Sequence, residues 1–425
     1  MKKLILALFS VAMMFGGVAL ADEATDKKMA KAKKEKMEKA KKADDWKFKG
    51  QAVLYYQTFD NWGNGALFDQ GPADSDNGKA QAAAGLQVFA ENKDIFKGLG
   101  AGFELSGLSS LGLEEDIVSS LVQWPSAGSL NGGAITQAYV TYGVEKTNFK
   151  YGRQTLPKSL SPFAYSEKFN VFQNTFEGLL VVNTDIEDTV LVYANVAKHN
   201  DHSSLSNFSD FHNASGAAHM VTAQNKSIKG ATLTGSYYVI PEVVGAAAGL
   251  DADVFWLDAK FKVSGVNVAL QGGSLSLDGF DDTSAFGAKV TGSIEEYKWK
   301  LSYSSVNDGA LPVRNIAGSA SGKKSVLYTQ SALNAGVIQK DADVFNATIG
   351  TKLGKGMFTV GYTYGDLGPM AAGPGVEGTY NEFDLMYKGS FNKQTKYFVL
   401  FSNVNDDRRP SETQNFLRFW VRYNF

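Results

Sequence analysis

The sequence predicts an all-β protein, a transmembrane antiparallel β-barrel of about 18 strands, and three observations support this fold class. A short basic and apolar segment opens the chain, apolar and polar residues then alternate, and the connections alternate between short and long. A strand places successive side chains on opposite faces, so the alternation separates one apolar face from one polar face. Because only a closed barrel pairs every backbone group of a strand in lipid, we expect the apolar face to contact the membrane.

The first 21 residues are predicted to be a secretory signal peptide. Lys2 and Lys3 precede an apolar run over 4–20, and Ala19 and Ala21 form a small-residue cleavage site. We therefore expect cleavage near Ala21 and export from the cytoplasm. An uncleaved anchor helix is the alternative, which the short length of the run disfavours.

The segment 22–45 differs from both of its neighbours in composition. It holds nine lysines and seven acidic residues, with only a thin apolar stripe between them. Charge-rich segments with little to bury rarely pack, so we expect a periplasmic extension that is helical or disordered. A tether to an anionic polymer or a weak helix–helix contact is the functional alternative.

The remaining residues, 46–425, read as the barrel. Tyr297, Trp299 and Leu301 alternate with Lys298 and Lys300, and the same pattern recurs as far as the last strand. A large soluble β-sandwich gives a similar pattern for each strand, but the signal peptide and the last strand disfavour it. The nine long connections imply eighteen strands, with sixteen as the alternative; these connections are 60–79, 109–133, 157–174, 198–216, 241–251, 274–283, 306–341, 366–379 and 405–414.

The composition excludes several classes of function. A formal charge of −2 gives no support for a nucleic-acid partner, and the absence of cysteine excludes disulfides, thiolate zinc sites and cysteine nucleophiles. All four histidines fall within 199–219, so a serine–histidine dyad on the barrel wall is not expected. We predict that the protein is not an enzyme.

Three runs of residues carry a resemblance to a known family. They are 151–156 (YGRQTL), 174–178 (NTFEG) and 183–189 (NTDIEDT), and the chain also ends in an aromatic strand, with Phe425 as its last residue. The chain resembles bacterial outer-membrane general porins, and more narrowly the major porins of epsilon-class proteobacteria and the OprD family. The resemblance implies a barrel whose third loop folds into the lumen, usually a homotrimer in the first group and often a monomer among OprD channels.

The candidate pore residues follow from this resemblance and from strand parity. The third long loop is 157–174, and Arg153 just before it is the residue we expect at the constriction. Arg153 has the same strand parity as Tyr151, which is expected to face outward, so a position in the pore requires a bulge at Gly152. The alternative is that Arg153 is a rim residue paired with a loop acid or a lipid phosphate. The other pore candidates are Lys158, Glu167, Lys168, Glu177, Glu104, Asp258, Lys260, Lys298, Lys300, Asp384, Arg418 and Arg422.

No cofactor is expected, although two kinds of cation site deserve a test. His199, His202, His212 and His219 have side chains that bind zinc or copper, but their irregular spacing favours an ordinary polar loop. The acidic pairs at 281–282 and 406–407 and the acidic triplet at 114–116 have side chains suited to calcium, with solvated loop charge as the simpler interpretation.

These features together predict a porin for passive diffusion of ions and small hydrophilic solutes across the outer membrane. The alternatives are an anion-selective channel, for example for phosphate, and a structural or adhesive surface barrel. The expected partners are outer-membrane lipid and lipopolysaccharide, the barrel assembly machinery and two further copies of the chain. The segment 111–124, with a helix-like apolar spacing, is expected to latch a neighbouring subunit or to pack on its own barrel. The predicted assembly signal consists of Phe419, Val421, Tyr423 and Phe425.

Overall fold

The fold is taken from a computed structural model of the chain. It describes residues 46–425 with gaps, so the signal peptide and the extension over 22–45 lie outside the described residues. The gaps are 61, 63–64, 69–78, 114–117, 119, 124–130, 169, 201–207, 211–216, 243–248, 317–323, 370–374, 410 and 412.

Strands account for nearly all of the regular structure in the described part. All pair antiparallel with their neighbours, except that β4 runs parallel to β2. The strands are β1 (Lys47–Phe59), β2 (Lys79–Phe96), β3 (Leu99–Ser109), β4 (Ser120–Leu121), β5 (Asn131–Val144), β6 (Thr147–Gln154), β7 (Phe176–Asn183), β8 (Thr189–Asn200), β9 (Phe208–Asp210), β10 (Ala218–Asn225), β11 (Ala231–Ile240), β12 (Ala252–Val263), β13 (Val266–Leu277), β14 (Thr283–Ile294), β15 (Tyr297–Val306), β16 (Ala342–Leu353), β17 (Gly356–Leu367), β18 (Gly378–Ser390), β19 (Thr395–Asp406) and β20 (Thr413–Asn424).

Eighteen long strands form a closed barrel. Each pairs with the next along the chain, and β1 pairs with β20 from Gln51 opposite Asn424 to Phe59 opposite Phe416. The short β4 and β9 add to β2 and β8 and do not interrupt the ring. The predicted fold class and the count of eighteen are therefore confirmed.

The two faces of the wall differ as the alternation predicts. On β1, Leu54 is 57% exposed on the outer side, whereas Val53 and Tyr55 on the inner side are almost fully buried. On β20, Phe419 is exposed and Arg418 is buried. An apolar outer belt around a polar interior is the arrangement that a membrane barrel needs.

Three long connections at one end of the barrel carry buried side chains. We call them loop 2 (110–130), loop 3 (155–175) and loop 7 (307–341), of which the last contains a single helical turn, η1 (Asn334–Gly336). Phe163 of loop 3 and Val313 and Ile338 of loop 7 are at most 1% exposed. Solvated loops do not bury such residues, so these connections pack within the protein. Among the described residues, no helix has the length and apolar character needed to cross a membrane.

Candidate functional site

Loop 3 begins its path by packing on one side of the barrel interior. The ring of Phe163 meets Tyr238 of β11 and Trp256 of β12 edge-on, with centroid distances of 5.7 and 5.2 Å. The backbone amide of Phe163 also donates to the hydroxyl of Tyr238 at 3.1 Å. Tyr238 and Trp256 face inward and are almost fully buried, so this part of the loop lies inside the barrel.

The far end of loop 3 is held by the opposite wall. Arg422 of β20 donates from Nη1 to the carbonyl of Val171 and from Nη2 to the carbonyl of Asn170, both at 2.7 Å. Among the eighteen long strands β11 is ninth and β20 is last, so the two attachments lie half a circumference apart. Loop 3 therefore crosses the barrel interior.

Loop 2 supports the same end of loop 3. The amide side chain of Gln123 accepts from the backbone of Phe172 at 2.6 Å and donates to its carbonyl at 2.9 Å. Leu121 and Val122 pack in one buried cluster with Phe172. The segment thus packs on its own barrel, which was one of the two alternatives for 111–124, and its described part contains the strand β4 in place of the expected helical spacing.

Loop 7 meets loop 3 along a hydrogen-bonded seam. The side chain of Asn315 accepts from the backbone amide of Tyr165 at 3.1 Å and donates to its carbonyl at 2.8 Å. The amide of Ile316 donates to the carbonyl of Phe163 at 2.8 Å, and Lys158 Nζ donates to the carbonyl of Ser325 at 2.9 Å. These contacts join the described parts of the two loops into one crosspiece within the barrel.

Glu167 is part of this seam. Its side chain is 3% exposed, and its Oε1 accepts from Asn315 Nδ2 at 2.8 Å and from the backbone amide of Lys324 at 3.0 Å. The following residue, Lys168, is exposed. Glu167 therefore joins the loops together, and of the two it is Lys168 that faces open space.

The inner wall holds loop 7 at two further points. Glu382 of β18 is fully buried and accepts from Ser331 Oγ at 2.7 Å and from the backbone amide of Leu333 at 2.8 Å. Asp258 of β12 accepts from the hydroxyl of Tyr328 at 2.5 Å. Burial, and then the hydrogen bond to Asp258, raise the pKa of Tyr328, so its hydroxyl remains a donor.

One cavity lies between the two loops and the wall formed by β11–β15. It has a volume of about 450 Å³. The lysines that line it are Lys158, Lys260, Lys289 and Lys300, and Asp258 is the one acidic residue among its described lining. The charged side chains that line the cavity therefore have a net positive charge.

A second cavity of about 700 Å³ is bounded mainly by loop 3, with Lys324 and Gln330 of loop 7. It shares Lys158 with the first cavity. Burial lowers the pKa of Lys158 to about 8, and the charge of Glu167 opposes this shift. Burial also lowers the pKa of Lys324 to about 8, and the charge of Glu167 again opposes this shift.

Most of the other pore candidates lie on the inner wall. Arg418 donates from Nη2 to Gln57 Oε1 at 2.7 Å, Glu104 accepts from Thr136, and Asp384 accepts from Ser402. Lys298 follows the short turn between β14 and β15, far along the strand from the long loops. The structure thus brings Lys158, Asp258, Lys260 and Lys300 together at the first cavity and Glu167 and Lys168 at the second.

Arg153 and Glu177 lie elsewhere. They are opposite each other on β6 and β7, with Nη2 and Oε2 3.4 Å apart, and Arg153 Nη1 donates to the carbonyl of Ile135. Ile135 is 45% exposed and Tyr151, two residues before Arg153, is 64% exposed, so the pair lies on the outer side of the wall. This placement corrects the expectation that Arg153 and Glu177 line the constriction: Gly152 has a φ of +120°, but it does not turn Arg153 inward.

The proposed cation ligands do not converge within the described residues. His199 is buried beside Phe176, whereas His219 lies on the outer side and bonds to the Tyr193 hydroxyl at 3.0 Å. His202 and His212 lie outside the described residues. No group of three or more potential metal ligands is found in the described part.

The acidic pairs have partners of their own where they are described. Asp406 accepts from Arg408 Nε at 2.8 Å and from Arg408 Nη2 at 2.9 Å, so a guanidinium occupies the place that calcium would need. Asp407 accepts from Thr379. Asp281 and Asp282 are exposed, and 114–116 lies outside the described residues.

Loop 7 is the element that the sequence interpretation missed. Asn315, Lys324 and Tyr328 all contact loop 3 or the wall, yet the loop was identified only by its length. Its apolar residues could have indicated that the loop packs inside the protein, because exposing Val313, Val326 and Ile338 to water is unfavourable. All three are buried.

The comparisons with known proteins agree on the fold. No family model and no curated protein sequence matches the chain. Among solved structures, OccK8 (OprE) of Pseudomonas aeruginosa matches with a TM-score of 0.70 at 15% identity, over 90% of this chain and 98% of that chain. A BenF-like porin from Pseudomonas fluorescens Pf-5 matches with a TM-score of 0.71 at 13% identity, over 90% and 99% of the two chains. OccK2 (OpdF) of Pseudomonas aeruginosa, solved in complex with glucuronate, matches with a TM-score of 0.67 at 12% identity, over 90% and 98%. The chain therefore has the barrel fold of outer-membrane porins.

Proposed function

We propose that this protein is a porin of the bacterial outer membrane, a water-filled channel for passive diffusion of ions and small hydrophilic solutes. The observation that carries the proposal is the crosspiece of loops 3 and 7 inside a closed barrel, beside two cavities that are lined by charged side chains. An eighteen-stranded barrel is too wide for side chains alone to fill. Pore width and charged groups at the narrowest point then set which solutes pass.

The residues that face the cavities determine which solutes pass through the channel. Loop 3 and loop 7 narrow the lumen, and Arg422, Asn315 and Glu382 keep them in place. Lys158, Lys260, Lys289 and Lys300 supply the field that a solute meets. No covalent chemistry is needed for this function.

A second and narrower function, an anion preference, is favoured by the lining of the first cavity. Four lysines oppose one aspartate there, so small anions are concentrated relative to cations. A protein of the same fold, OccK2, was solved with glucuronate, which is an anion. The preference is expected to be weak because Asp258 lies among these lysines and offsets one of their charges.

Liposome swelling tests the channel function. The mature protein is reconstituted into liposomes, which are then diluted into isosmotic solutions of neutral sugars of increasing size and of sodium gluconate. We expect rapid swelling with the smallest sugars and a rate that falls with size. Swelling no faster than that of protein-free liposomes would contradict the proposal and favour a structural or adhesive barrel.

The remaining assignments concern location and assembly. We propose that the signal peptide is removed near Ala21, that the barrel assembly machinery recognises the strand ending in Phe425, and that lipid and lipopolysaccharide contact the outer belt. The homotrimer stays a prediction, which light scattering of the detergent-purified protein tests against a monomer of the same barrel.

A further inference from the structure

Asp258 occupies an unusual position for an acidic residue. It lines the first cavity together with four lysines and is the one carboxylate among the described residues that do so. We propose that Asp258 is the residue that sets the ion selectivity of the channel, through its charge, by neutralising Lys260; the same side chain also holds Tyr328 of loop 7 against the wall. The inference rests on the proposed channel function and assigns its selectivity to a particular side chain.

The two oxygens of Asp258 have separate partners. Oδ1 is 2.5 Å from Lys260 Nζ, and Oδ2 accepts from the hydroxyl of Tyr328 at 2.5 Å. Asp258 and Lys260 are two positions apart on β12, so both point into the lumen. The Asp258 side chain therefore pairs with a charged residue of the wall and also holds loop 7 in position.

Tyr328 extends this arrangement to a second lysine. Lys289 of β14 has its Nζ 4.0 Å from the centre of the Tyr328 ring, close enough for a cation–π contact. Asp258 thus fixes the ring on which Lys289 rests, while it pairs with Lys260 directly. Lys158 and Lys300 line the same cavity and form no described ion pair with Asp258.

The electrostatic consequence can be given a size. An ion that passes about 6 Å from Asp258 in water feels roughly 0.7 kcal/mol from one unit charge, which corresponds to about a threefold change in local concentration. Screening at 0.1 M salt reduces this value. Because the carboxylate acts with opposite sign on the two ions, the permeability ratio changes by the square of the screened factor. Removing the carboxylate should therefore raise the ratio of chloride to potassium about three- to fourfold.

Three variants separate charge from loop position. Asp258→Asn removes the charge and keeps the shape, Tyr328→Phe removes the loop hydrogen bond and keeps the charge, and Asp258→Asn with Lys260→Gln restores the net charge of the cavity. Each is purified, its barrel content is checked by circular dichroism and by heat-dependent mobility in gels, and its reversal potential is measured in planar bilayers with a tenfold KCl gradient.

The expected pattern is specific to the proposal. Asp258→Asn shifts the reversal potential toward chloride selectivity, the double variant returns close to the wild-type value, and Tyr328→Phe leaves the reversal potential unchanged. A conducting Asp258→Asn channel with the wild-type reversal potential would overturn the role of Asp258 and leave the channel function standing. An equal shift from Tyr328→Phe would also overturn it, because loop position and not charge would then set selectivity. A wild-type protein that does not conduct would overturn the channel function and this inference together.

Discussion

Arg422 on the last strand donates from Nη1 to the carbonyl oxygen of Val171 at 2.7 Å, although the two residues are 251 positions apart in the chain. Its Nη2 makes the equivalent bond to Asn170. A guanidinium has five donors in a fixed plane, so it can hold two successive carbonyls and also bond to Gln51 of β1 at 3.1 Å. Sequence parity identified Arg422 as a pore residue; the structure shows it attaching loop 3 to the wall.

Arg422→Gln should therefore loosen loop 3. Hydrogen bonds from a charged donor contribute about 1.5 to 3 kcal/mol each, and both bonds to loop 3 would be lost. We expect a larger and noisier single-channel conductance than in the wild type. Arg422→Lys is the matched variant, because it keeps the charge and cannot form the paired bonds. A quiet wild-type conductance in both variants would contradict the anchoring role.

Arg153→Gln should leave the channel unchanged. Arg153 pairs with Glu177 on the outer side of the wall, and it is not among the described residues that line the two cavities. Partly exposed ion pairs of this kind contribute about 0 to 1 kcal/mol. Conductance and reversal potential are measured beside those of Arg422→Gln, for which Arg153→Gln is the control. A change in either property as large as that of Arg422→Gln would return Arg153 to the pore.

Asn315→Ala should separate loop 7 from loop 3. The Asn315 amide makes two bonds with the backbone of Tyr165 and one with Glu167, and it is fully buried. Each buried group left without a partner costs about 1 to 3 kcal/mol. We expect an increased conductance and faster proteolysis within 307–341. Asn403→Ala, on β19, is the control for a lost amide in the barrel wall. Unchanged proteolysis of loop 7 would contradict the seam.

The anion preference should fall as the pH rises through about 8. Burial lowers the pKa of Lys158 and of Lys324 to about 8, whereas a free lysine titrates near 10.4. A lysine is charged below its pKa, so both residues carry their charge at pH 6 and have lost most of it by pH 9. Reversal potentials measured between pH 6 and pH 9 test this, with Lys158→Gln expected to flatten the dependence. A preference that is constant from pH 6 to pH 9 would contradict it.

The sequence pattern was sufficient to predict the barrel. The alternation around Tyr297 and the spacing of the long connections give the eighteen strands, because strand geometry and the membrane both impose the same period of two. The inward course of loop 3 is what the family resemblance implies, and Phe163, Tyr165 and Phe172 of this loop are buried. For the barrel strands, a local pattern alone determines the structure.

The rest depends on contacts between distant segments. Nothing near Asn315 or Tyr328 in the chain indicates that they face Tyr165 or Asp258, since a loop has no periodicity from which to read its direction. For Arg153, strand parity predicted the outer face of the barrel, where the structure places it. The resemblance around 151–156 predicted a place in the pore, which is wrong. Strand parity was therefore the stronger guide at this position.

The measurement that tests the central claim most directly is single-channel recording of the mature wild-type protein in planar bilayers at 1 M KCl. A water-filled lumen narrowed by loops 3 and 7 predicts discrete conductance steps with a linear current–voltage relation near zero voltage. A protein that inserts as a folded barrel, with heat-dependent gel mobility, and yet gives no conductance steps would contradict the claim that the lumen is an open channel.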